Sequence, residues 1–159
     1  MFLASSRIHQ ASRAVGLLLA MAIATAPLAA CSDEESRLVI HTATGEHVFE
    51  VEVVDTQETR AQGLMFVQEL GPDEGMLFDF LDERPVSFWM RNTFIPLDMI
   101  FVGADGIVRN VHVNAVPHDP TSIPSDGPVQ FVLEIPGGRS VEIGLEAGDR
   151  LEHARIEAD

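Results

Sequence analysis

From Leu38 onward the chain is built of short apolar stretches with a period of two, separated by turns that carry glycine or proline. Leu38–Thr42 and His47–Val54 read as strands joined at Thr44-Gly45 in a hairpin. In the second strand Phe49, Val51 and Val53 alternate with Val48, Glu50, Glu52 and Val54, so one face is apolar and the other mixed, as in a half-buried strand. Thr56 to Gly63 predicts a short helix, with Thr56 as its cap and Gly63 at its end. Gly71-Pro72-Asp73-Glu74-Gly75 is a turn, and Met76–Phe80, Val86–Arg91, Leu97–Val102 and Ile107–Ala115 follow as strands. Residues 116–128 hold four prolines and read as a long surface loop. Val129–Ile135 is a strand, Gly137-Gly138 a turn, Ser140–Leu145 a helical turn and Arg150–Ile156 a closing strand. The expected fold class is α+β, a compact, strand-rich, barrel-like mixed sheet with one or two short helices.

The segment before this pattern has another character. Arg7 and Arg13 precede an apolar run from Ala14 to Ala24, which is the layout of an export signal and shorter than a membrane-spanning helix needs. Leu28-Ala29-Ala30-Cys31 resembles the lipobox of bacterial lipoproteins, which implies cleavage before Cys31 and a diacylglyceryl group on its sulfur. Cys31 is the only cysteine, so a monomer has no disulfide. The expected organisation is a signal peptide over 1–30, a lipidated flexible tether over 31–37 and a single domain over 38–157. The expected location is periplasm-facing and membrane-anchored through the lipid; Ser32, where Asp is absent, favours onward transport to an outer membrane.

Charge narrows the partners. The chain has a formal charge of −15, and loss of Arg7 and Arg13 leaves eight basic residues against 25 carboxylates, or −17. A surface of that sign repels phosphate backbones, so nucleic acid is not an expected partner.

Three stretches stand out together: Arg60-Ala61-Gln62-Gly63-Leu64-Met65-Phe66, Gly75-Met76-Leu77-Phe78-Asp79-Phe80, and the run from Ser87 through Trp89-Met90-Arg91-Asn92-Thr93 and Ile95-Pro96-Leu97-Asp98 to Val102. With Val132-Leu133-Glu134-Ile135-Pro136-Gly137-Gly138 and Gly148-Asp149, this set resembles the domain-of-unknown-function 192 (DUF 192) family over residues 38–156. Arg91 stands where similar proteins commonly have Lys. The resemblance implies a small mixed domain rich in strands and brings no established activity.

Read physically, the long motif places Phe88 and Met90 on a core face and Trp89 and Arg91 on the other, with the guanidinium near the indole. Asp98 interrupts an apolar strand and needs partners, for which Arg60, Arg91, Asn92 and Thr93 are candidates. The candidate ligand-binding set is therefore Arg60, Trp89, Arg91, Asn92, Thr93 and Asp98, serving a small polar ligand or an envelope protein. The competing structural role for Asp98 and Arg60 is to staple the motif loop to the helix. An envelope hydrolase using the carboxylate pair Asp98 and Glu134 is the alternative from another class. It requires both groups to face one cleft. A Cu(I) carrier would need Met65, Met76, Met90 and Met99 to converge, yet each sits among apolar residues where methionine fills cores. No catalytic residue, metal-ligand set or cofactor motif is assigned, because no nucleophile elbow, Cys/His ligand spacing or phosphate-cradling glycine run occurs.

Overall fold

The structure is a computed structural model that describes residues 34–156. Cys31 and the proposed leader lie outside the described residues. Among the described residues, after a helical turn at 34–36, nine strands and two short helices follow one another: β1 (Arg37–Thr42), β2 (Gly45–Val54), α1 (Gln57–Gln62), β3 (Glu74–Arg84), β4 (Ser87–Phe88), β5 (Leu97–Val102), β6 (Val108–Ala115), β7 (Ile123–Pro124), β8 (Val129–Pro136), α2 (Arg139–Glu142) and β9 (Arg150–Glu152). Seven strands form one sheet in the order β6-β5-β8-β3-β2-β1-β9, and β4 pairs separately with β7. Only β2 and β3 run parallel, joined by the crossover that contains α1; the other pairs are antiparallel. The sheet curls into a half-barrel until its outer strands meet, with a bridge between Ile107 and Arg150 and the Val108 amide donating to the Asp149 carbonyl at 2.9 Å. The fold is α+β, as the alternation of the sequence implied.

Two apolar clusters sit on opposite faces of the sheet. The inner one includes Leu38, Ile40, Phe49, Leu77, Ile100, Phe131, Leu133, Ile135 and Leu151, and is plugged by Ile143 and Leu145 after α2. The outer one includes Leu64, Met76, Phe78, Met90, Leu97, Met99, Phe101 and Val132, under the segments 63–70 and 86–95. Strands β5 and β8 lie between the two and are buried on both faces, which is why their sequences are near-continuous apolar runs.

Turn and cap chemistry matches the local sequence. Thr42 and Gly45 close the β1–β2 hairpin. The Thr56 hydroxyl accepts the Thr59 amide at 3.1 Å while the Thr59 hydroxyl accepts the Thr56 amide at 3.2 Å, a reciprocal cap for α1. Gly63 ends that helix at φ 47°.

Four expectations need correction. The strand expected over Val86–Arg91 shrinks to Ser87–Phe88, because its backbone partner is the short β7 inside the proline-rich loop and not a sheet strand. The closing strand ends at Glu152, after which the chain turns. The strand expected over Met76–Phe80 extends from Glu74 to Arg84. The polar tether is not free throughout: residues 34–36 form a helical turn, the Glu35 carboxylate pairs with Arg155 at 2.6 Å, and the His153 ring lies 2.8 Å from the Glu35 carbonyl.

Close packing fixes one glycine in the middle of the sheet. A Cβ on Gly75 would meet the Glu134 carbonyl oxygen at 2.7 Å and the Ile135 side chain at 3.1 Å. Backbone cannot yield as a flexible side chain can, so Gly75→Ala is expected to destabilise the fold by about 2 kcal/mol, read as a lowered midpoint in urea unfolding.

Candidate functional site

The two most buried strands each carry one carboxylate, and the sheet register sends them to opposite faces. Asp98 pairs with Ile135, whereas Met99 pairs with Glu134, so Asp98 points with the inner cluster and Glu134 with the outer. Asp98 is fully buried and saturated with donors. Its Oδ1 accepts the Asn114 amide at 2.7 Å and the Gly138 amide at 2.8 Å; its Oδ2 accepts the Ser140 amide at 2.8 Å and the Ser140 hydroxyl at 2.5 Å. It ties β6 and the start of α2 to β5. The expected partners Arg60, Arg91, Asn92 and Thr93 make none of these bonds, which corrects the sequence reading of Asp98 as part of their pocket. The carboxylate pair required for an envelope hydrolase does not face one cleft.

Glu134 has the opposite environment. It is 5% exposed, and among the described residues its carboxyl makes no hydrogen bond and no ion pair. Its register neighbours are Met76 on β3 and Met99 on β5, both buried. Desolvation in these apolar surroundings pushes the Glu134 carboxyl up to about 8 from 4.5. It therefore stays protonated at neutral pH.

A small cleft opens above Glu134. Its lining includes Arg60, Gly63, Leu64, Met65, Phe78, Phe88, Trp89, Thr93 and Glu134, and its cavity volume is about 40 Å³. That is room for two or three water-sized groups. Phe88 stands edge-on to Phe78 with centroids 5.0 Å apart, and a Cβ on Gly63 would touch the Phe78 ring at 3.0 Å, so glycine lets the helix end lie against this wall. Thr93 is 5% exposed as a residue, and its hydroxyl, which makes no hydrogen bond among the described residues, opens onto the cleft. The Arg60 guanidinium is held at the edge. It donates from Nη1 to the Asp55 carbonyl and, at 2.7 Å, to the Asp79 carbonyl, and lies over the Phe80 ring 5.0 Å from its centroid. Arg155 ties the same region to the amino-terminal turn, pairing with Asp55 at 3.1 Å and with Glu35.

Of the residues expected to form a site, Arg60, Trp89 and Thr93 thus line one cleft. Arg91 does not line it but stacks on Trp89, its guanidinium 5.0 Å from the indole centroid. Asn92 lies in the turn that follows, its amide 3.8 Å from the Met65 sulfur. Asp98 is on the other side of the sheet. Of the four methionines, Met65 alone lines the cleft, while Met76, Met90 and Met99 are packed in the outer cluster. The residue that sequence reasoning used only as half of a catalytic pair is Glu134. The signal for it was present: a single carboxylate in the otherwise apolar run Val129–Ile135, apart from Gln130 near its start.

The loops around the cleft are strained and laced together. Phe66, Asn92 and His118 have φ of 66°, 58° and 65°, a conformation costly for side-chain-bearing residues and held only when surroundings enforce it. The Phe66 amide donates to the Asn92 carbonyl at 2.9 Å, and the His118 amide to the Met90 and Thr93 carbonyls at 3.0 and 3.2 Å. The proline-rich loop therefore braces the motif at His118. Phe66, Trp89 and Phe94 remain exposed beside the cleft.

Comparisons with known proteins agree with this architecture. A solved structure of a candidate transcription regulator from Sinorhizobium meliloti 1021 is 46% identical, with a TM-score of 0.74, over 76% of this chain and 94% of that one. A protein of unknown function from Novosphingobium aromaticivorans DSM 12444 is also 46% identical, with a TM-score of 0.72, over 73% of this chain and 83% of that one. No curated protein matches the chain. The family model DUF192, described as uncharacterized ACR, matches residues 39–153, and the chain belongs to that family.

Proposed function

We propose that this protein is an exported, lipid-anchored binding module that holds one end of a small polar ligand in the cleft over Glu134, on the periplasm-facing side of a membrane. The observation that carries the reading is a carboxyl with no protein partner among the described residues, on a side chain only 5% exposed, whose oxygens open onto the floor of a small cleft. A carboxyl that the fold leaves without a protein partner and opens only to a cleft is satisfied from outside the chain, by water or by a ligand that displaces it, and an acid so placed marks a functional site. The unbonded Thr93 hydroxyl and the strained Phe66, Asn92 and His118 around the same cleft support it. The signal segment and Leu28-Ala29-Ala30-Cys31 support the anchor. The negative charge disfavours a nucleic-acid ligand, so the description of the Sinorhizobium protein is not extended to this chain.

Native mass spectrometry of the full-length protein extracted from membranes tests both parts. The expected polypeptide begins at Cys31 and carries acyl chains. A further small-molecule adduct is expected on the wild type and absent from Glu134→Gln. Equal adducts on both proteins, or none on either, would sink the cleft reading; an unlipidated polypeptide would sink the anchor.

A further inference from the structure

Resting on the cleft reading, we infer that the group received by Glu134 is a primary alkylammonium, bound as an ion pair with the carboxylate between the aromatic rings of Phe78, Phe88 and Trp89. Three features of the cleft select that chemistry. The floor is an acid with no ion-pair partner among the described residues: Arg60 is the only other ionisable side chain lining the cleft, and its guanidinium is turned to the Asp55 and Asp79 backbone carbonyls and the Phe80 ring instead of to Glu134. In register on the neighbouring strands stand Met76 and Met99, which carry no charge. A cationic donor would leave neither partner unsatisfied, whereas a second carboxylate would add a like charge in a confined site.

The walls are also suited to a cation. Aromatic rings attract a desolvated ammonium through their negative faces, and Thr93 supplies a hydroxyl that can accept one of its protons. Size then excludes the bulkier cations: a cavity of about 40 Å³ takes a nitrogen and one or two methylenes, not a trimethylammonium head. The remainder of the ligand has a place to lie. A wider groove of about 590 Å³, with Arg84 and Val86 in its lining, shares Arg60, Phe88 and Trp89 with the cleft.

Binding requires the carboxylate, while the empty cleft keeps Glu134 protonated below about 8. An alkylamine stays cationic to about pH 10, so affinity should rise about tenfold per pH unit between pH 6 and pH 8 and then level off, with one proton released per ligand.

The chain has one tryptophan and no tyrosine, so its intrinsic fluorescence reports directly on Trp89. The test is a fluorescence titration of the full-length protein in non-ionic detergent with n-pentylamine, and in parallel with its neutral and anionic counterparts pentan-1-ol and pentanoate. A saturable response to pentylamine alone is expected, with the tenfold pH slope and a loss of affinity of at least about 30-fold at pH 8 in Glu134→Gln, comparable to breaking a buried charge pair. A response to the alcohol or to pentanoate as strong as that to pentylamine would overturn the ammonium assignment and leave the cleft as a binding site if that response is lost in Glu134→Gln. Unchanged pentylamine affinity in Glu134→Gln, or no response to any probe, would also overturn the assignment; the cleft reading itself stands or falls with the mass-spectrometric comparison.

Discussion

Glu134→Gln is expected to make the protein more stable, by roughly 3 kcal/mol at pH 7. The native carboxyl titrates near 8, whereas in the unfolded chain it returns to about 4.5. Between those values the unfolded state has released its proton and the native state has not, so the unfolded state gains and stability falls as pH rises through this window. At pH 7 the gap covers about 2.5 pH units above the unfolded value, and each unit is worth about 1.4 kcal/mol. Glutamine keeps the shape of the protonated acid and has nothing to ionise. Its melting temperature should exceed the wild type's by several degrees, on the order of 6–10 °C at pH 7, and the difference should vanish near pH 4. Thermal melts of the two proteins at pH 4, 5.5, 7 and 8 decide the matter. Parallel curves at every pH would mean that Glu134 ionises normally and has a partner. A stabilising substitution at the floor of a cleft, coupled to loss of binding, is the pattern expected where function has been retained at the expense of stability.

The second large effect has the opposite sign and lies on the other face of the same sheet. Asp98→Asn is expected to cost about 4 kcal/mol or more, enough to remove much of the stability of a domain this size. The four donors on the Asp98 oxygens come from Asn114, Gly138 and Ser140, the last giving both its amide and its hydroxyl. An asparagine can accept through only one oxygen, and its amide nitrogen would confront two N–H or O–H donors in a site with no exposure. Urea unfolding should show a sharply lowered midpoint, and protease digestion should begin in the segment after β8, which Asp98 holds. A variant within 1 kcal/mol of the wild type would show that the amide satisfies the same donors and that the charge is dispensable. Because this residue acts on folding, the absence of a ligand from Asp98→Asn would say nothing about the cleft; Glu134→Gln is the informative variant there.

The contrast between these carboxylates shows why a sequence-level inference can find the right segment and the wrong residue. Both interrupt apolar strands, and the rule that a buried carboxylate needs a partner applies to both. Asp98 lies close in sequence to Asn92 and Thr93, which made them natural candidates as partners. A strand reverses side-chain direction at every residue, however, and β5 sends Asp98 inward while the motif loop covers the outer face. The donors it found come from β6, from Gly138 just before α2 and from Ser140 within α2, 16 to 42 residues away. Glu134 lies 74 positions after Arg60 in the chain, and nothing local links them. They meet because β8 pairs with β3 and α1 lies in the crossover between β2 and β3.

What the sequence determined by itself is local and periodic. Alternation identified most strands, Thr56 and Gly63 bounded the helix, Thr44-Gly45 turned the first hairpin, and the motif residues marked the family and the neighbourhood of the cleft. These follow from backbone sterics, hydrogen bonding within a few residues and burial of one face, all of which act along the chain. The tertiary structure alone decided the strand order, the closure of the half-barrel, the shortening of the strand after Val86, and which buried carboxylate was satisfied and which left open. The physical reason is that register between distant strands fixes the face each side chain enters, and a shift of one residue exchanges a hydrogen-bonded staple for an unpaired acid at the floor of a cleft.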